Sequence, residues 1–117
     1  EVDNNVGEVM RLLEEQGRPK EAIQALSRIN YIYPRDEELH RRLAELLLTA
    51  GDAPGAVREF RALLATKPLD QAATFFSLAR AYNSAGRRED AKEQVLLSLE
   101  AAPGYRPAQK LLLELSQ

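Results

Sequence analysis

The chain has no cysteine, no tryptophan, one methionine and one histidine. Without cysteine there is no disulfide, no thiolate nucleophile and no cysteine metal site, and the redox compartment stays open. Aromatic residues make up only 6%. No apolar run approaches the roughly 20 residues that span a bilayer, and no signal-peptide core is present, so membrane insertion is not expected. A net charge of −2 lacks the basic surface that nucleic-acid binding needs. Glycines fall singly, so no phosphate-cradling loop is formed. His40 lacks the convergent partners of a metal or acid–base site and reads as a packed side chain. Glu14-Glu15 and Asp36-Glu37-Glu38 read as solvated faces or helix-start charges. No nucleophile, base and orienter assemble; neither enzymatic activity nor a cofactor or metal is expected.

What the chain does have is recurrence. Gly17, Ala22 and Pro34 reappear as Gly51, Ala56 and Pro68, and again as Gly86, Ala91 and Pro103. A period of this size is the mark of a solenoid, in which each unit buries its apolar face against its neighbours. Hydrophobic residues at 44% and charged residues at 29% suit a globular core of one ordinary domain. The chain opens on Glu1 rather than Met, which leads us to expect a trimmed or processed product.

Helical periodicity runs almost unbroken. Leu39, Leu43, Leu46, Leu47 and Ala50 form one stripe, and Ala56, Phe60, Leu63 and Leu64 form the next. Between them Gly51 can close a helix in left-handed geometry, Asp52 can cap the next, and Pro54 is tolerated in its first turn. Asp36 and Asp70 are placed as further caps. The pattern predicts seven helices over about 4–16, 19–32, 37–50, 53–66, 71–85, 88–101 and 106–116. No segment alternates as a strand. The short connections make consecutive helices antiparallel. The recurring alanines permit close helix approach, facing Ala44 and Ala79; Met10 takes that slot in the first unit, where a looser pair is expected.

Phe75-x2-Leu78-Ala79-x2-Tyr82, followed by Gly86, Ala91-x3-Val95 and Pro103, resembles a tetratricopeptide repeat. So do His40-x2-Leu43-Ala44-x2-Leu47 with Gly51, Ala56-x3-Phe60 and Pro68, and the weaker Val6-x2-Val9-Met10-x2-Leu13 with Gly17, Ala22-x3-Leu26 and Pro34. The resemblance implies an all-α, right-handed solenoid of antiparallel helix pairs. It divides a single domain, 1–117, into repeats at about 3–36, 37–70 and 72–105, with a closing helix at 106–116. Ala108, Leu111, Leu112 and Leu115 give that helix a covering stripe; Leu113 lies off it and is expected to be partly exposed, or covered by a further repeat or second molecule.

The resemblance also implies a concave groove lined by the first helix of each unit, and hence a protein- or peptide-binding scaffold. Candidate groove residues are Arg11 with Glu8 and Glu15 on the first helix, and Arg41, Arg42, Glu45 and Leu48 on the third. The fifth contributes Phe76, Arg80 and Asn83, with Ala73 and Ser77. Phe76 is the expected apolar anchor, and Arg11 with Arg42 the expected receptor for an acidic group, although Glu15 and Glu45 nearby blunt that field and a strongly acidic ligand is not favoured there. Relatives that grip the terminal carboxylate of chaperone tails place Lys and Asn on the first groove helix, Asn on the second, and Lys and Arg on the third. Those slots here hold Gly7, Arg11, Arg42, Ala73 and Ser77, so a chaperone-tail ligand is not expected.

Two rival readings stand beside this one. One is a regulatory or assembly module of a larger protein, an enzyme or a bacterial envelope or secretion component. The other is self-association through Leu113 and Tyr31-Ile32-Tyr33, although those tyrosines read first as packing on neighbouring helices. The expected state is a monomer or weak homo-oligomer. A soluble, cytoplasmic location is favoured over a periplasmic one reached after loss of a targeting segment.

Overall fold

Seven helices follow one another in the computed structural model, which describes residues 4–32 and 36–117 but not the side chains of residues 4–7, 9 and 10. They are α1 (Asn4–Glu15), α2 (Pro19–Ile32), α3 (Glu37–Thr49), α4 (Ala53–Ala65), α5 (Gln71–Ser84), α6 (Arg88–Ala101) and α7 (Arg106–Leu115). Their limits match the predicted spans to within one residue at each end. There is no strand among the described residues. The expectations placed on Tyr33 and Pro34, and on the side chains of Val6, Val9 and Met10, lie outside the described residues.

The three recurring glycines do one job. Gly17, Gly51 and Gly86 have φ of 69°, 93° and 78°, a region costly for a residue with a β-carbon. Each closes the preceding helix with the same two hydrogen bonds. At the third turn Gly86 N donates to Asn83 O (3.1 Å) and Arg87 N to Tyr82 O (2.9 Å). The first and second turns repeat this from Gly17 and Arg18, and from Gly51 and Asp52. The next helix then starts within two residues, so the pair folds back tightly. Asp36, Asp52 and Asp70 accept from Leu39 N, Gly55 N and Ala73 N at 3.0, 3.0 and 2.9 Å, satisfying otherwise orphaned amides.

The link from α4 to α5 uses different chemistry. Lys67, at φ 56°, occupies the position a glycine would take. Its amide bonds Leu64 O, but the following residue, Pro68, has no amide to give Leu63 O. Thr66 serves that carbonyl instead, through its backbone N at 3.0 Å and its hydroxyl at 2.6 Å. Nothing in the Gly–Ala–Pro spacing foretells this device.

Packing follows the recurrence. Ala22, Ala56, Ala91, Ala44 and Ala79 are all at 0% exposure, so helix pairs meet with no room for a larger side chain. One turn after each recurring alanine lies a buried apolar residue: Leu26, Phe60 and Val95. Ser98, also fully buried, donates its hydroxyl to Ala72 O at 2.7 Å and ties α6 to the start of α5. Arg88 at the start of α6 donates to the Leu115 and Gln117 carbonyls and holds the end of α7. The resulting body is elongated, 41 × 26 × 20 Å, as expected of units that contact only their neighbours.

Three expectations need correction. Ala50 is exposed, because it caps α3 rather than extending its stripe. Tyr31 does not pack on neighbouring helices: it is 88% exposed and Ile32 65%. The inward stripe of α2 runs through Ala22, Leu26 and Ile29, and Tyr31 lies on the opposite side of the helix. His40 is buried as expected but is not merely packed. Its Nδ1 lies 2.9 Å from Glu59 Oε1 on α4, which also accepts from Asn30 Nδ2 of α2 at 3.5 Å. Glu59→Ala removes the hub of this cluster, and urea unfolding is expected to show a loss of about 1.5–3 kcal/mol, the scale of a charge-assisted hydrogen bond. A loss below about 0.5 kcal/mol, the level of an ordinary surface substitution, would contradict that role.

Candidate functional site

Successive first helices, α1, α3, α5 and α7, share one side of the array, and open recesses lie between them. Glu14, Arg41, Arg42 and Glu45 line a recess of about 600 Å³ between α1 and α3. Arg41 and Glu45 turn also toward Ala73 and Ser77, which line a smaller recess of about 260 Å³ between α3 and α5. The largest, about 990 Å³, lies between α5 and α7 and includes Phe76, Arg80, Arg106, Lys110 and Leu113. Five of the expected groove residues, Arg41, Arg42, Glu45, Phe76 and Arg80, line these recesses, and Arg11 does not. Leu48 does not line these recesses; it is half-buried against the core. Asn83 is exposed beyond them, near the turn after α5.

The charges in this surface are largely matched. Arg11 donates to both Glu8 and Glu15 on its own helix, the second at 2.6 Å. Hydrogen bonding and charge together hold the Glu8 carboxyl below the usual carboxylate range and raise the Arg11 guanidinium. That pairing is present at neutral pH and is lost as pH falls through the lowered Glu8 value. Arg42 faces Glu14 at 3.8 Å, across from α3 to α1. Arg41 pairs with Glu38 at 2.9 Å and Glu37 at 3.6 Å, and Arg80 with Glu45 at 3.7 Å. An acidic ligand at Arg11 or Arg42 must therefore displace a resident carboxylate.

Phe76 is half-buried rather than left bare. Its ring meets Tyr105 edge to face, with centroids 5.8 Å apart and an interplanar angle of 83°. The Arg80 guanidinium lies over it, 5.9 Å from the centroid. One aromatic surface is thus locked in place while its rim opens into the largest recess. Tyr105, Arg106 and Lys110 are absent from the sequence-based site. The signal was present: Arg106, Gln109, Lys110 and Leu113 recur at helical spacing on the side of α7 away from Ala108, Leu111 and Leu115.

Among the described residues no cluster of three or more His, Asp or Glu side chains is arranged to hold a metal. No described helix is long and apolar enough to cross a membrane.

Antiparallel helix pairs stacked in series, with one continuous face of recesses, define an α-solenoid repeat protein. The chain belongs to the tetratricopeptide repeat family, whose model matches residues 13–75. The first such domain of Spaghetti (RPAP3), bound to the HSP90 peptide SRMEEVD, superposes with a TM-score of 0.83 at 20% identity, covering 99% of this chain and 94% of that one. The second domain of human RPAP3, in complex with the HSP70 peptide SGPTIEEVD, gives 0.84 at 16% identity, covering 96% and 92%. MamA gives 0.82 at 15% identity, covering 98% of this chain and 64% of MamA. At these identities the likeness is one of fold. Among curated protein sequences no relative matches.

Proposed function

We propose that this chain is a non-catalytic scaffold that binds a protein segment or peptide along the face shared by α1, α3, α5 and α7. The observation that carries the reading is Phe76, held by Tyr105 and Arg80 with its rim open to the largest recess. A preorganised aromatic in a concave surface is the kind of side chain on which binding energy concentrates. Arg11, Arg41, Arg42, Glu45, Arg80 and Asn83 then supply orientation and selectivity from the rim, while Leu48 contributes support from beneath.

Two of the neighbours carry acidic chaperone peptides, which supports peptide capture by this fold. The slots at Gly7, Arg11, Arg42, Ala73 and Ser77 argue for a different ligand sequence. The fold gives the same support to a regulatory or assembly module within a larger protein, since such a module would use the same face.

The test is capture of a partner by wild type and Phe76→Ala in parallel. The variant is expected to bind roughly tenfold or more weakly, about 1–2 kcal/mol, as truncated interface anchors do. Undiminished affinity, with the variant shown to be folded by circular dichroism, would remove Phe76 and its groove from the reading.

A further inference from the structure

We infer that the recess between α5 and α7 receives an internal acidic segment of a partner protein, one in which two carboxylates two residues apart share one side of the extended chain with a bulky apolar residue two positions further along. This rests on the groove reading above and adds the chemistry of the ligand.

The inference begins with a charge imbalance confined to one end of the groove. Arg11, Arg41, Arg42 and Arg80 each meet a carboxylate of this chain. Arg106 and Lys110 are exposed and form no ion pair among the described residues, although Glu114 lines the same recess. Two cations left unmatched beside an aromatic surface favour an anionic ligand and disfavour a basic one.

Spacing narrows the ligand further. Arg106 and Lys110 stand one helical turn apart, about 5–6 Å. In an extended peptide, side chains two residues apart lie roughly 6.5–7 Å from one another on the same side. One carboxylate can therefore meet each cation. Leu113, 69% exposed, and the rim of Phe76 supply the apolar contact. The recess, at about 990 Å³, is larger than one side chain requires and leaves room for flanking backbone. The contacts are to side-chain carboxylates, so a free C-terminus is not needed.

The probe is an immobilised library of heptapeptides, acetylated and amidated at their ends, built from Asp, Glu, Lys, Ser, Gly, Leu and Phe. Wild type is expected to retain members with two acidic residues and a Leu or Phe at least tenfold over counterparts with Lys in place of the acids. Arg106→Glu with Lys110→Glu should abolish that preference. Lys20→Glu with Arg28→Glu on α2 makes the same change in net charge away from the groove and should leave it intact. Phe76→Ala should weaken retention of every selected peptide. Retention without acidic preference, preference that survives the α7 reversal, or failure to retain any member of this end-blocked library would each overturn the inference. If binding still depends on Phe76 in those cases, the groove reading stands and only the acidic subsite falls. If it depends on neither Phe76 nor the α7 cations, both fall.

Discussion

Phe60→Ala is expected to lower the unfolding free energy by about 3–5 kcal/mol, the range for emptying a buried aromatic site. Phe60 is at 0% exposure and is the largest fully buried side chain among the described residues. It stands on α4, in the middle helix pair, with α3 on one side and α5 on the other. A terminal pair can relax toward solvent around a cavity; a central one has neighbours on both sides and collapses less. Domains of this size are stable by only about 5–15 kcal/mol, so the variant should lose a large fraction of its stability. The thermal midpoint should drop by roughly 10–25 °C. Because units are coupled only to their neighbours, loss at the centre should also uncouple the two ends. Urea unfolding followed by circular dichroism reads both effects, the second as a broadened transition. A loss below about 1 kcal/mol would mean that the helix pairs are not packed as described.

Ala91→Leu is the opposite perturbation, filling a contact instead of emptying one. Ala91 on α6 and Ala79 on α5 have no exposed surface, so three further carbon atoms have no space to occupy. The expected cost is about 1–3 kcal/mol, from off-rotamer side chains and displaced backbone. Ala101→Leu, at the exposed end of the same helix, should stay within about 0.5 kcal/mol of wild type. Denaturant midpoints of the two variants make the comparison. Equal midpoints would show that the recurring alanine is not a contact requirement.

The scaffold was legible in the sequence because its determinants are local and repeated. A glycine at a turn, an aspartate before a helix and an apolar stripe within it each act over a few residues, and each recurs. Gly17, Gly51 and Gly86 adopt the geometry their spacing implied, and Asp36, Asp52 and Asp70 cap as expected. Where a determinant was not repeated, it was harder to see. Lys67 in the left-handed region looks like any lysine in sequence, and its support from Thr66 is a single event. Tyr31 looked like core from its composition alone, yet its phase on α2 points it outward.

The candidate site was legible only in part, for the same physical reason. Residues on one helix can be phased against its core stripe, and Phe76 and Arg80, phased that way, line a recess. Partners far apart in sequence cannot be paired that way. Glu59 meets His40 across 19 residues, and Tyr105 meets Phe76 across a longer interval. Arg106 and Lys110 belonged to a helix read as a closing element, so the outer side of α7 went unused. At the expected acid receptor, Glu15 on the same helix as Arg11 was foreseeable as a neighbour, whereas the approach of Glu14 on α1 to Arg42 on α3 was not.

The central claim is that this chain binds through the face shared by α1, α3, α5 and α7. Amide chemical-shift mapping of the isotope-labelled protein, titrated with a captured partner segment, tests it most directly. The largest shifts are expected along Arg41, Glu45, Ser77, Arg80 and Lys110, with little change on α2, α4 and α6. Shifts concentrated around Tyr31, Ile32 or Leu96, away from that face, would contradict it.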